Sequence, residues 1–164
     1  MGDPNFKTTS PVVSQHVRAL VLQLIVFHSW TLESCDGTTA FLQAEGEKEE
    51  NKIWTTGVKE LGEALGVRQG QLLRILRACY GLTTVPRSFW LDVSKKMTSP
   101  DLKGHGILGD ACTWIFLSEE GTLLGVACCH VDDFLIAGNE KDARWLKIKL
   151  AIKQIYKWGA WKQG

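Results

Sequence analysis

Residues 123–138 read LLGVACCHVDDFLIAG, two apolar runs separated only by His130-Val131-Asp132-Asp133. The runs, Leu123–Cys129 and Phe134–Ala137, are short, made of small and branched residues and bounded by glycine, the pattern of buried strands. The link between them leaves room only for a tight turn, so the stretch predicts a β-hairpin. Such a turn lifts Asp132 and Asp133 to the edge of a sheet, where carboxylates can offer oxygen ligands to a hard divalent cation. Aspartate is also a turn former through hydrogen bonds to its own backbone. The pair alone leaves both readings open.

At 164 residues the chain fits one domain with a sizeable core. An apolar fraction of 45% and a charged fraction of 23% are those of an ordinary globular protein. The net charge of +1 gives no global argument for a nucleic-acid partner, but its distribution is uneven. Lys141, Arg144, Lys147, Lys149, Lys153, Lys157 and Lys162 face one acid, Asp142, in the last part of the chain, whereas Glu45–Glu50 is acidic. A basic tail can follow a phosphate backbone or simply be a solvated face. The five cysteines show no CxxC spacing, which favours a reducing compartment over a disulfide framework. Neighbours on a strand point to opposite faces, so Cys128, Cys129 and His130 do not converge on zinc. No secretory signal or membrane-spanning run is expected, and the chain reads as soluble and intracellular.

From the hairpin outward, Ser10-Pro11 predicts a helix start, with Val13, Val17, Leu20, Val21, Leu24 and His28 at helical spacing to about Trp30. His28 on that stripe reads as a core histidine. Thr31–Cys35 is a strand ending at Asp36-Gly37, and Thr38–Leu42 bends towards a helix. Residues 45–70 read mostly as loop with a short helix near Lys59–Leu65; Gln71–Ala78 favours a strand, and Gly81–Val85 is a loop. Pro86 starts a helix to about Met97, with Phe89, Trp90, Val93 and Met97 on one face. A glycine-marked loop at 104–109 leads to a strand over Cys112–Leu117, and Ser118–Thr122 turns back into the hairpin. Asn139 is expected to cap a last basic helix to about Tyr156, with Asp142 at the capping-box position. The chain then ends in Trp158-Gly159-Ala160-Trp161, which reads as a stop inside a larger unit. The order predicts an α+β fold, an antiparallel sheet with its helices on one face. If the first strand lies beside the hairpin, Asp36 and Asp132 meet at the sheet edge and can hold two Mg²⁺ ions about 3.5–4 Å apart for phosphoryl transfer.

These residues resemble the reverse transcriptase domain of copia-type LTR retrotransposons, part of their Pol polyprotein. The resemblance runs from Ser10 to about Gly138 and rests on four stretches in order. They are Ser10-Pro11-Val12-Val13; Asp36 with Thr39-Ala40-Phe41-Leu42; Tyr80-Gly81-Leu82 with Pro86-Arg87; and Val131-Asp132-Asp133-Phe134-Leu135-Ile136. It implies a polymerase palm with partial fingers, in which Asp36 and Asp132 ligate two Mg²⁺ ions (Mn²⁺ as a substitute) and Asp133 assists at the primer end. It places the backbone amides of Gly37, Thr38, Thr39 and Ala40 against the incoming deoxynucleoside triphosphate. Phe41 occupies the steric-gate position by that resemblance, whereas its residue type alone reads as an ordinary core aromatic. Tyr80, Arg87 and His130 become template or primer contacts, and Asp110 a structural acid. The implied partners are an RNA or DNA template with its primer and the remaining fingers, thumb and ribonuclease H of the polyprotein. The implied setting is a cytoplasmic virus-like particle or the nucleus, with no membrane. The chain departs from the pattern at His130, at Gly37-Thr38 and at Thr83-Thr84. The upstream basic fingers segment, thumb and ribonuclease H are not in it. Two other readings stand beside this one: a decayed, non-enzymatic remnant that at most binds nucleic acid, and another two-metal enzyme such as a nucleotide cyclase.

Overall fold

A computed structural model describes residues 10–43, 53–57, 59–76, 82 and 85–164. In chain order the elements are α1 (Gln15–Phe27), β1 (Thr31–Asp36), α2 (Ala40–Gln43), β2 (Ile53–Thr56), α3 (Lys59–Leu65), β3 (Leu72–Ile75), α4 (Val85–Met97), β4 (His105–Ile107), β5 (Asp110–Leu117), β6 (Leu123–His130), β7 (Asp133–Gly138), α5 (Ala143–Gln154) and β8 (Lys162–Gln163). The fold is α+β. A six-stranded antiparallel sheet has the order β4-β5-β6-β7-β1-β8, and β2 pairs with β3 in a sheet of two. None of the described helices is long and apolar enough to cross a membrane.

The hairpin at 123–138 forms, with β6 one residue longer than its run at the turn, β7 one residue longer at each end, and Val131-Asp132 alone at the tip. Strands β6 and β7 are buried along most of their length because both faces of the sheet are covered. The two glycines that bound them have a packing role. Gly125 and Gly138 lie opposite each other, and the indole of Trp145 on α5 rests on both. A Cβ at either position would sit 2.3 Å from that ring, so only glycine lets the helix approach this closely. Trp145 is wholly buried and packs against Phe116.

The helices are not all on one face, contrary to the expectation. Alternation along β1 and β7 sends Glu33, Cys35, Phe134 and Ile136 to the face covered by α4 and α5. Ser34, Leu135 and Cys128 point the other way, where Val13 from the lead-in and Arg18 from the first turn of α1 share a cavity with them. A central sheet with apolar residues on both faces needs cover on both, and a single helix layer cannot supply it.

The ends of the helices differ from the expected caps for local reasons. Helix α1 is capped by Ser14, whose hydroxyl accepts from the Val17 N–H at 3.2 Å, while the Ser10 hydroxyl donates across the fold to the Pro86 carbonyl at 3.1 Å. Pro11 therefore lies in an extended lead-in, placed by the backbone bond from Val13 N–H to the Cys129 carbonyl. Asp110 is structural as expected: its carboxylate accepts from Ser14 N–H, Cys112 N–H and the Thr113 hydroxyl. Helix α5 is capped by Asp142, and Asn139 instead accepts from the Lys141 N–H one turn earlier. His28 is not in the core; it is exposed and stacks on Trp30 at 4.7 Å. Strands β2, β4 and β8 lie where loop or an irregular end was expected, being too short to show a period.

One buried ion network ties α5 to the sheet. Glu33, 5% exposed, pairs with Lys149 at 2.5 Å and more loosely with Lys153, and Lys149 also reaches Glu140 at 2.8 Å. Burial pulls the Lys149 ammonium down, but its bonds to Glu140 and Glu33 outweigh that and hold it above the ordinary lysine value of 10.5. A raised lysine stabilises the fold fully below its unfolded value, and that contribution is lost as pH rises through the folded one. Lys149→Met is therefore expected to cost about 3 kcal/mol near neutral pH by leaving the buried Glu33 with only the looser Lys153. Urea melts of the two proteins should show this gap steady to about pH 10 and shrinking above it.

Candidate active site

Strand β1 delivers Asp36 to the sheet edge beside the 131–132 turn. Its antiparallel register with β7 sets Asp36 opposite Asp133, and β6 sets His130 opposite Asp133 on the other side. Opposed residues share a face, so Asp36, Asp133 and His130 form one row across three strands. Beyond the row, Gly37 N–H donates to the carbonyl of Asp132 at 2.9 Å, fastening the end of β1 to the tip of the hairpin. Asp36 and Asp133 are exposed and Asp132 is half-buried. The direct neighbour of Asp36 in the ladder is thus Asp133, with Asp132 held one step further by backbone. Among the described residues, no three His, Cys, Asp or Glu side chains are grouped tightly enough to hold an ion by themselves.

The row opens into a cavity of about 480 Å³ whose wall includes Asp36, Asp133, His130, Cys128, Arg18 and Lys162. A larger groove of about 1070 Å³ lies between α4 and α5; Arg144 and Lys147 of the basic tail line it, but none of the expected catalytic, nucleotide or template residues does. The carboxylates of Asp36 and Asp133 are the anionic oxygen donors on the smaller cavity's wall. Its two thiols are unsuited to metal, because burial, reinforced by Glu33 and Asp36 at the first and by Asp110 at the second, pushes Cys35 up to about 12 and Cys128 up to about 11. Hard cations such as Mg²⁺ take carboxylate oxygen, complete their shell with phosphate and water, and need only one or two protein carboxylates. The donor set fits that group.

The segment expected to receive a triphosphate is already engaged. Gly37 N–H donates to Asp132, Thr38 N–H to the Lys157 carbonyl at 3.1 Å, and Ala40 N–H to the Gly37 carbonyl at 2.9 Å. Of the four amides, that leaves Thr39, which sits at φ +50°. Phe41 is half-buried, its ring edge-on to Phe89 at 5.7 Å, and Phe89 in turn meets Tyr156 at 5.5 Å. Phe41 is therefore part of an aromatic cluster between α2 and α4. Arg87 lies in the first turn of α4 with its guanidinium 5.9 Å from the Trp90 ring. Tyr80 lies outside the described residues.

The sequence reading missed the part played by the C-terminal segment. Trp158 bridges to Gly37, and Gly159 N–H donates to the Asp36 carbonyl at 2.8 Å. Strand β8 pairs Lys162 with Ser34 on the free side of β1, which brings a cation to the cavity wall. Arg18 reaches the same wall from α1. The only sequence signal for these was the lysine-rich tail, whose direction no motif indicates.

No protein-family profile matches this chain, and comparisons with curated proteins and with solved structures give no match either.

The turn itself is strained. Val131, a β-branched residue, is held at φ +62°, a conformation that glycine adopts without penalty. Val131→Gly is expected to stabilise the chain by about 1 kcal/mol, read as a higher urea midpoint with an unchanged slope.

Proposed function

We propose that this chain is the palm of an RNA-directed DNA polymerase of the copia type, joining deoxynucleotides to a primer 3′-hydroxyl at the edge formed by Asp36, Asp132 and Asp133. The observation that carries the reading is the β1–β7 pairing, which brings Asp36 to the 131–132 turn from nearly a hundred residues away in sequence. Four ordered sequence stretches support it, and so does the placing of two carboxylates, Asp36 and Asp133, on the wall of one cavity.

In this reading Asp36 and Asp132 hold two Mg²⁺ ions, for which Mn²⁺ can stand in. The bound ions supply charge neutralisation for the attacking and leaving oxygens of phosphoryl transfer. The chain's own residues position the reactants. Asp133, opposite Asp36 and beside His130, faces the primer end. Arg18 and Lys162 on the cavity wall offer cations to backbone phosphate. Anion contact at the 37–41 segment falls to Thr39 and to exposed side chains, since the other amides are engaged within the fold. Phe41 serves as a steric gate only if its ring leaves the cluster with Phe89. The β2–β3 sheet with α3 is the partial fingers of this scheme. The fingers, thumb and ribonuclease H regions of a Pol polyprotein would be its neighbours, and a template with primer its substrate, in a virus-like particle or the nucleus.

One observation favours a second reading, a remnant that keeps the sheet and binds nucleic acid without chemistry: the amides of Gly37, Thr38 and Ala40 are occupied by the fold itself. Primer extension separates the two. The proposal expects Mg²⁺-dependent incorporation by the full chain, falling at least about 100-fold in Asp36→Asn and in Asp132→Asn, as loss of charge-stabilising groups does. No incorporation with Mg²⁺ or Mn²⁺, together with salt-sensitive binding of a primer duplex, establishes the remnant. Incorporation that survives both substitutions rules out the assigned site.

A further inference from the structure

All four cysteines among the described residues are buried, but one pair differs from the rest. The pairing of Thr113 with Cys128 puts Cys112 opposite Cys129 at the next step of the β5–β6 ladder. Opposed residues of antiparallel strands lie about 4.5–5.5 Å apart at Cα, inside the range a disulfide bridges. Facing each other across the ladder, the two thiols shift in opposite directions, Cys112 lowered in spite of its burial and Cys129 raised by its partner and by burial. Of the two, Cys112 is the sulfur whose thiolate form is the more favoured, and so the better nucleophile. Their neighbours Ala111 and His130 are exposed, so opening the first residues of β5 is the route by which a small oxidant arrives.

We propose that Cys112 and Cys129 are a redox-sensitive pair that closes into a cross-strand disulfide on meeting a hydroperoxide. The Cys112 sulfur attacks the peroxide, the O–O bond breaks, and one oxygen stays on sulfur as a sulfenic acid while the other leaves as water with the thiol proton. Cys129 then attacks that sulfur, forming the S–S bond and releasing the second oxygen as water with the proton of Cys129. Two thiols and one hydrogen peroxide thus give one disulfide and two waters, and a dithiol reductant reverses the change. The bridge ties the start of β5 to the end of β6, immediately before the turn that carries Asp132 and Asp133. The inference is independent of the chemistry proposed for those carboxylates.

The test treats the full chain with hydrogen peroxide, blocks remaining thiols with iodoacetamide and maps the unreduced peptides by mass spectrometry. The expected product is a Cys112–Cys129 linked peptide, lighter than the two free peptides by two hydrogens and removed by dithiothreitol. Its formation should raise the melting midpoint by roughly 5–10 °C, since the bridge closes a loop in the unfolded chain. The product should persist in Cys128→Ser and vanish in Cys112→Ser. A bridge through Cys128, or sulfinic and sulfonic acids without any bridge, overturns the proposal. So does a chain whose thiols all remain free under peroxide that oxidises its methionines. Because the map of the unsubstituted chain carries the decision, a variant that fails to fold does not obscure it.

Discussion

Everything at the candidate site depends on β1 lying antiparallel to β7 in one register. Side chains alternate across a strand, so a slip of one residue would send Asp36 to the helix-covered face. Two backbone bonds oppose that slip. Gly37 N–H reaches the Asp132 carbonyl, and Gly159 N–H reaches the Asp36 carbonyl from the other side. Asp36 is thereby clasped between the tip of the hairpin and the C-terminal segment, and its position does not rest on β1 alone. The helix-side contacts of β1 act in the same direction, because the Glu33–Lys149 pair is made only in this register.

The two faces of the sheet divide the labour. Towards α4 and α5 the sheet makes its closest packing: an indole lies on two glycines, and an aromatic chain runs from Phe134 through Trp158 to Tyr156 and Phe89. Tyr156 and Lys96 both donate to Oδ2 of the buried Asp92, while its Oδ1 has no partner among the described residues. Towards α1 the same strands present carboxylates, a histidine and a cavity. A stiff, helix-backed layer beneath an open polar edge is the arrangement that pre-positions charged groups at little cost in later rearrangement.

The central hairpin was legible in the sequence because its two apolar runs and short link admit few alternatives. The β1 strand and the α4 helix were legible for similar reasons: a run ending at Asp36-Gly37, and a proline followed by apolar residues at helical spacing. The convergence of Asp36 with the hairpin followed from placing those strands side by side. What stayed hidden depends on distant partners. Ser14 rather than Ser10 caps α1 because Asp110, nearly a hundred residues on, holds the Ser14 amide. Strand β8 has two residues and exists only because β1 has an open edge there. The occupation of the Gly37–Ala40 amides could not be foreseen either, since one of their acceptors is Lys157.

The account stands on the carboxylates at 36, 132 and 133 forming one place for a divalent cation. Nuclear magnetic resonance with substoichiometric Mn²⁺ tests this directly, because the ion broadens the amide signals nearest to it. The account predicts broadening that begins at Asp36, Gly37, Asp132 and Asp133 together and is reversed by excess Mg²⁺. Broadening confined to other acids, such as Glu119 and Glu120 at the β5–β6 turn, or broadening of the hairpin tip without residue 36, would contradict it.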